Sequence, residues 1–207
     1  MTRIILFANS HKNGNRCLAG VTNDGLWLRP VSSPAGAAIS TPSTFIGETP
    51  LRPLDVIDIE IIRKVPLPSQ GENVLIDDAS IAHVRTIGES NHALAKIEDH
   101  TPWFMTDGAM TVNPMAYTAI DGAESLALIR VTNLVAHRSR NTFDGAVRWR
   151  ASFSYNGLDW DLPLTDDLFT ASLGDTSQEI GHASLCLSIG EEFRGEHYKL
   201  VAGVVPH

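Results

Sequence analysis

Apolar and polar positions alternate at short range along most of this chain, with the two-residue period of strands. LDVIDIEIIRKV (54–65) shows it most cleanly, with Val56, Asp58, Glu60 and Ile62 on one side against Ile57, Ile59 and Ile61 on the other. RIILFAN (3–9), CLAGV (17–21) and LWLRPV (26–31) are short, rich in β-formers and separated by Asn/Gly clusters, so they predict three more strands. NVLIDD and IAHVRTI follow at hairpin-like spacing. Between the third and fourth strands, SSPAGAAISTPSTFIGETPLRP is rich in Pro, Gly, Ser and Thr and predicts a long loop. Helical spacing appears over SNHALAKIED (90–99), where Ser90 or Asn91 supplies a cap and Ala93, Leu94 and Ile97 share a face. The loop-like HTPWFMTDGAMTVNP (100–114) would join two halves.

The second half repeats the strand pattern. SLALIRVTNLVAHR (125–138) reads as one long strand, and AVRWRASFSYNGLDWDLPL (146–164) as a hairpin around Asn156-Gly157, which predicts a type I′ turn. Counting outward from that turn pairs Tyr155 with Leu158 and Phe153 with Trp160, and puts Arg150 near Pro163. DLFTASLG suits one helical turn, and ASLCLSIGEEF and HYKLVAGVVP close the chain as two strands. The total is ten or eleven strands with little helix. That fits two small Greek-key barrels or one sandwich.

Composition narrows the class. With 207 residues, 43% hydrophobic and 19% charged, the chain can bury a real core and is not a disordered polymer. No apolar run approaches the roughly 18 residues of a membrane span, and the first apolar run reads as a strand and not a signal peptide. Cys17 and Cys186, far apart in apolar surroundings, make neither a disulfide framework nor a zinc knuckle, so reduced thiols in a cytoplasmic protein are expected. The net charge of −8 is unevenly spread. Residues 1–53 carry five Lys/Arg against two acids, a balance of +3, and residues 54–207 carry eleven against twenty-two, a balance of −11. The acidic whole argues against an indiscriminate grip on duplex phosphates, while the N-terminal part keeps a local positive face.

That positive part contains the candidate chemistry. In RCLAGVTNDGLWLRPVS (16–32), Trp27 and Arg29 stand at a strand end, where an indole can stack on a base and a guanidinium can pair with phosphate. Lys12 and Arg16 lie in the preceding turn, with Ser10, His11 and Asn13 as hydrogen-bonding neighbours. The opposing interpretation makes Trp27 core and Arg29 a solvated strand residue. A second cluster, Arg148-Trp149-Arg150 with Trp160 across the hairpin, reads as sheet stabilisation, since Asp159 and Asp161 can neutralise the arginines. His197, beside Tyr198 and Lys199, reads as a surface strand end. The eight histidines show no metal-ligand spacing, and neither a P-loop, a dinucleotide fingerprint nor a G-x-S-x-G elbow is present, so no metal or cofactor is expected. Catalysis by Cys17, Asp166 or a histidine has no assignable partner residues.

Several segments together resemble the dual OB-containing domain family of prokaryotes, over about residues 3–205. The resemblance is carried by ILFANSHKNGNRCLAG and GLWLRPVS, by YNGLDWDLPLTDDLF, and by LCLSIGEEFRGEHYKLVAGVV near the C-terminus. The matching positions include Ser10, Lys12, Arg16, Cys17, Trp27, Arg29, Thr165, Asp166, Tyr198, Lys199 and Leu200. It implies two OB-like barrels in a compact unit, a setting in bacterial conflict and genome defence, and recognition of nucleic acid, including modified nucleic acid, or of nucleotides.

The combined expectation is a mainly β protein of two packed OB-like Greek-key barrels, residues 1–110 and 111–207, with one or two short helices. It would act as a non-catalytic recognition module in the cytoplasm, away from membranes. Its ligand, a single-stranded or modified nucleic acid or a nucleotide, would meet Ser10, Lys12, Arg16, Trp27, Arg29, Tyr198 and Lys199. The alternatives are a nucleotide-processing enzyme and an adaptor for a protein such as a helicase or nuclease.

Overall fold

The computed structural model describes residues 1–88, 98, 101–118, 124–141 and 144–207. The helix expected over 90–99 lies outside the described residues, apart from Glu98. In the first half the strands are β1 (Thr2–Lys12), β2 (Asn15–Thr22), β3 (Trp27–Val31), β4 (Phe45–Ile46), β5 (Thr49–Pro50), β6 (Asp55–Ile59), β7 (Ile61–Lys64), β8 (Asn73–Ile76) and β9 (Ala82–Thr86). The second half contains β10 (Thr111–Val112), helix α1 (Pro114–Thr118), β11 (Leu126–Arg140), β12 (Val147–Tyr155), β13 (Leu158–Pro163), helix α2 (Asp167–Ala171), β14 (Gln178–Phe193) and β15 (Glu196–Pro206). The count exceeds the expected eleven because β4, β5 and β10 are two-residue strands and because Glu60 divides 54–65 in two.

That division closes the first sheet. β1 pairs antiparallel with β2 and β6, β2 with β3, and β7 with β8, while β3 and β8 run parallel. β6 and β7 are one chain interrupted by a single residue, so the same segment borders β1 at one end and β8 at the other. The result is a five-stranded ring in the order first, second, third, fifth, fourth, with β9 added at the edge of β6. The second sheet repeats the order. β11 pairs with β12 and β14, β12 with β13, and β14 with β15. A parallel bridge between Leu164 and Val201 joins the end of β13 to β15. This repeated cyclic order is that of the OB barrel. The hairpin register is the one counted from Asn156-Gly157, with Phe153 opposite Trp160, and both turn residues have positive φ, 54° and 72°.

Three apolar clusters explain the runs of consecutive apolar residues. Ile4, Leu6, Leu18, Ile57 and Ile59 fill the first barrel. Ile129, Phe153, Trp160, Leu185 and Val201 fill the second. The third cluster lies between them, joining Ile5, Phe7, Val21 and Trp27 to Leu126, Leu128, Cys186 and Val205. From Ile4 to Phe7, β1 is therefore buried on both faces, even positions toward its own barrel and odd ones toward the other, until a register shift between Leu6 and Ala8 turns Ala8 toward the joint as well. At the contact the backbones touch: a Cβ on Gly203 of β15 would stand 1.9 Å from the Phe7 carbonyl oxygen of β1. No helix among the described residues is long and apolar enough to cross a membrane.

Candidate functional site

The joint between the barrels leaves a cleft of about 190 Å³. Its floor is made of small and apolar side chains from both halves, Ala8 and Ala19 from the first and Leu126 and Ala202 from the second. Ser10, Arg29 and Gln70 supply polar groups from the first barrel, and Ser188 and Thr165 from the second. The exposed His11 and Glu191 and the half-buried Lys12 stand at the mouth. A cavity of about 150 Å³ holds benzene, so this one has room for a single flat ring.

Strand geometry brings these groups together. β1 stays paired with β2 as far as Lys12, and its end is tied to the second barrel where the His11 amide donates to the Thr165 carbonyl at 3.4 Å. Arg29 sits on β3, which faces the joint. Its Nη2 donates to Ser125 Oγ at 2.7 Å, to Glu72 Oε1 at 3.1 Å and to Ser188 Oγ at 3.3 Å, and Nε reaches the same carboxylate at 3.3 Å. One guanidinium thereby links a loop of the first barrel to two elements of the second. Among the described residues Nη1 makes no hydrogen bond.

The other expected contacts divide. Lys12 pairs with Glu191, and Arg16 with Asp167. Arg16 is buried and does not line the cleft, although its neighbour Cys17 does. Trp27 requires a correction as regards an open stacking shelf: only 8% exposed, it lies edge-on to Phe7 with ring centroids 5.9 Å apart. The outer surface of β3 is the face that the second barrel covers, so the indole is interior. Arg29 is likewise no solvated strand residue. Lys199 is 1% exposed inside the second barrel, with Nζ 3.0 Å from Asp107 and 4.9 Å from the Trp160 ring centroid. Burial lowers its pKa, against the pull of Asp107. Tyr198 is half-buried beside Phe193, and of this stretch Leu200 reaches the cleft instead. His197 is also no surface strand end. It is buried, and its Nδ1 donates to the Gly190 carbonyl at 2.9 Å.

Sequence reasoning missed Gln70, Ser188 and Glu191 as cleft residues: Gln70 lies in a stretch without a motif, and Ser188 and Glu191 lie in a family-like segment whose pattern reads only as a strand. The repeated barrel order, with a joint between the two rings, has a counterpart in sequence comparison: a family model described as dual OB-containing domain matches residues 2–204. The chain belongs to the dual OB-containing domain family. No curated protein and no solved structure matches it. A dual OB domain is built from a nucleic-acid-binding type of module, since OB barrels bind oligonucleotides and oligosaccharides on the second and third strands and adjoining loops. In this dual OB domain the first such surface, β2 and β3, is the one folded into the joint.

The remaining candidates are held in structural roles. Arg150 pairs with Asp161 and Arg148 with Asp144, while Asp159 accepts from Ser154 at 2.7 Å. Burial pushes the Cys186 thiol up to about 12 and raises that of Cys17, so neither is a thiolate near neutrality. No group of three potential metal ligands occurs among the described residues.

Proposed function

We propose that this dual OB domain recognises nucleic acid or a nucleotide by taking one base into the cleft between its barrels. The cytoplasmic conflict and genome-defence setting implied by the family resemblance is part of the proposal. The observation that carries it is the convergence of Ser10, Lys12 and Arg29, three residues from a sequence stretch distinctive of the family, on one ring-sized cleft completed by the second barrel. A base would slide between the small side chains of Ala8, Ala19 and Ala202. Its edge would meet Ser10, Gln70, Ser188 and Arg29. Because the floor is contributed by both barrels, neither alone makes the site. The role is binding without turnover.

A binding screen of nucleotides and of single- and double-stranded DNA and RNA, run at two salt concentrations, tests this. Micromolar affinity is expected, about −8 kcal/mol, with single strands preferred because a base in a duplex must first be unstacked. Gly190 lines the cleft, and a Cβ there meets its nearest atoms at 3.4 Å, an ordinary contact. Gly190→Val, shown to be folded by circular dichroism, should lose binding. A folded Gly190→Val protein that binds as tightly as wild type would place the ligand elsewhere.

A further inference from the structure

The cations gathered at the joint differ in how firmly each is held. The side chains of Arg29 and Glu72 are 10% and 5% exposed, and two serine hydroxyls accept from the guanidinium beside the carboxylate. A pair buried in this way cannot exchange partners cheaply, because removing one charge strands the other. Arg16, also nearly buried, lies off the cleft. The Lys12–Glu191 pair is different. Its side chains are 30% and 52% exposed, both line the cleft mouth, and exposed ion pairs are weak.

Glu191 reaches Lys12 through a specific backbone device. Between the pairs Ile189–Lys199 and Glu192–His197, β14 uses one more residue than β15. Gly190 and Glu191 occupy this bulge, which the His197 imidazole holds by its bond to the Gly190 carbonyl. Bulges re-aim side chains and recur beside functional sites. This one brings a carboxylate of the second barrel to the cleft-lining ammonium of Lys12.

We infer that Lys12 is an exchangeable anion subsite, occupied in the free protein by the Glu191 carboxylate and taken by phosphate when a ligand binds. The inference rests on the nucleotide reading of the cleft and sharpens it. The ligand is a base carrying a phosphate, as a free nucleotide or as part of a strand, and a nucleoside lacks the group that displaces Glu191. A lysine ammonium suits this task as a compact charge with three rotatable donors. Displaced, Glu191 turns into solvent it already half occupies, so no buried charge is created.

The test compares the common nucleosides with their 5′-monophosphates, by calorimetry, on wild type, Glu191→Gln and Lys12→Gln. Glu191→Gln should tighten monophosphate binding about threefold to fivefold, the factor equivalent to one exposed ion pair, and leave nucleoside binding unchanged. Lys12→Gln should abolish the preference for the monophosphate. Two results overturn the inference while leaving the cleft reading intact: nucleosides and monophosphates bound equally by wild type, or monophosphate binding unchanged in Glu191→Gln. If none of the three proteins binds any probe, and Gly190→Val behaves no differently toward oligonucleotides, the cleft reading fails and this inference with it.

Discussion

Arg29 shows how much one side chain can do when the fold surrounds it. It bonds Glu72, Ser125 and Ser188, which lie 43, 96 and 159 residues away in sequence. Truncation would leave the Glu72 carboxylate, one oxygen of which has no hydrogen-bond partner among the described residues, as an uncompensated buried charge. Arg29→Ala should therefore cost about 3–5 kcal/mol. Trp27→Ala, which empties an interior position against Phe7, should cost about 3–5 kcal/mol as well. Denaturant midpoints at constant m-value measure both, and losses below about 1 kcal/mol would contradict the interior placement of these side chains.

At the scale of elements, the short helix α2 depends on Asp166. Its Oδ1 accepts from the Phe169 amide at 2.9 Å, and its Oδ2 accepts from the Val204 amide at 3.1 Å, tying the helix to β15. Burial nevertheless dominates its titration and raises the pKa to about 6 from the ordinary 3.8. A carboxyl whose folded pKa lies above its unfolded one favours the fold in its protonated form. That contribution is complete below pH 3.8 and disappears as pH rises through about 6, a loss of about 3 kcal/mol. Asp166→Asn keeps the capping oxygen and removes the charge. Urea melts between pH 4 and 6.5 should show the fall in wild type and a flatter profile in the variant, and parallel profiles would refute the assignment. The difference between the two proteins is the quantity to read, since it isolates the group exchanged.

The whole molecule turns on the contact between the barrels. Phe7 and Gly203 bring two backbones too close for any side chain, and the cluster around Trp27 is shared by both halves. Gly203→Ala must push the barrels apart or distort a strand, so a loss of at least about 3 kcal/mol is expected. Because the joint is core and not a thin domain interface, wild type should melt in one transition seen alike by fluorescence and circular dichroism. Separate transitions for the two halves would show that each barrel is stable without the other. The same contact forms the cleft, so a variant that opens the joint should weaken ligand binding before it unfolds the barrels.

The strands, the Asn156-Gly157 hairpin and its register were legible in the chain itself, because a period of two and the turn chemistry act over a few residues. The family was legible in short segments at both ends. Ser10, Lys12 and Arg29 could be chosen because polar groups clustered in an otherwise apolar stretch need a reason to be there. Three things were decided by tertiary structure alone: that Glu60 splits one strand between two neighbours, that Trp27 faces the other barrel and not solvent, and that Glu72 and Glu191 neutralise cations distant in sequence. Local pattern tells which faces of a strand are apolar. What covers each face depends on segments from opposite ends of the chain, as Lys12 and Glu191, 179 residues apart, show, and their meeting is a property of the closed barrels and the joint between them.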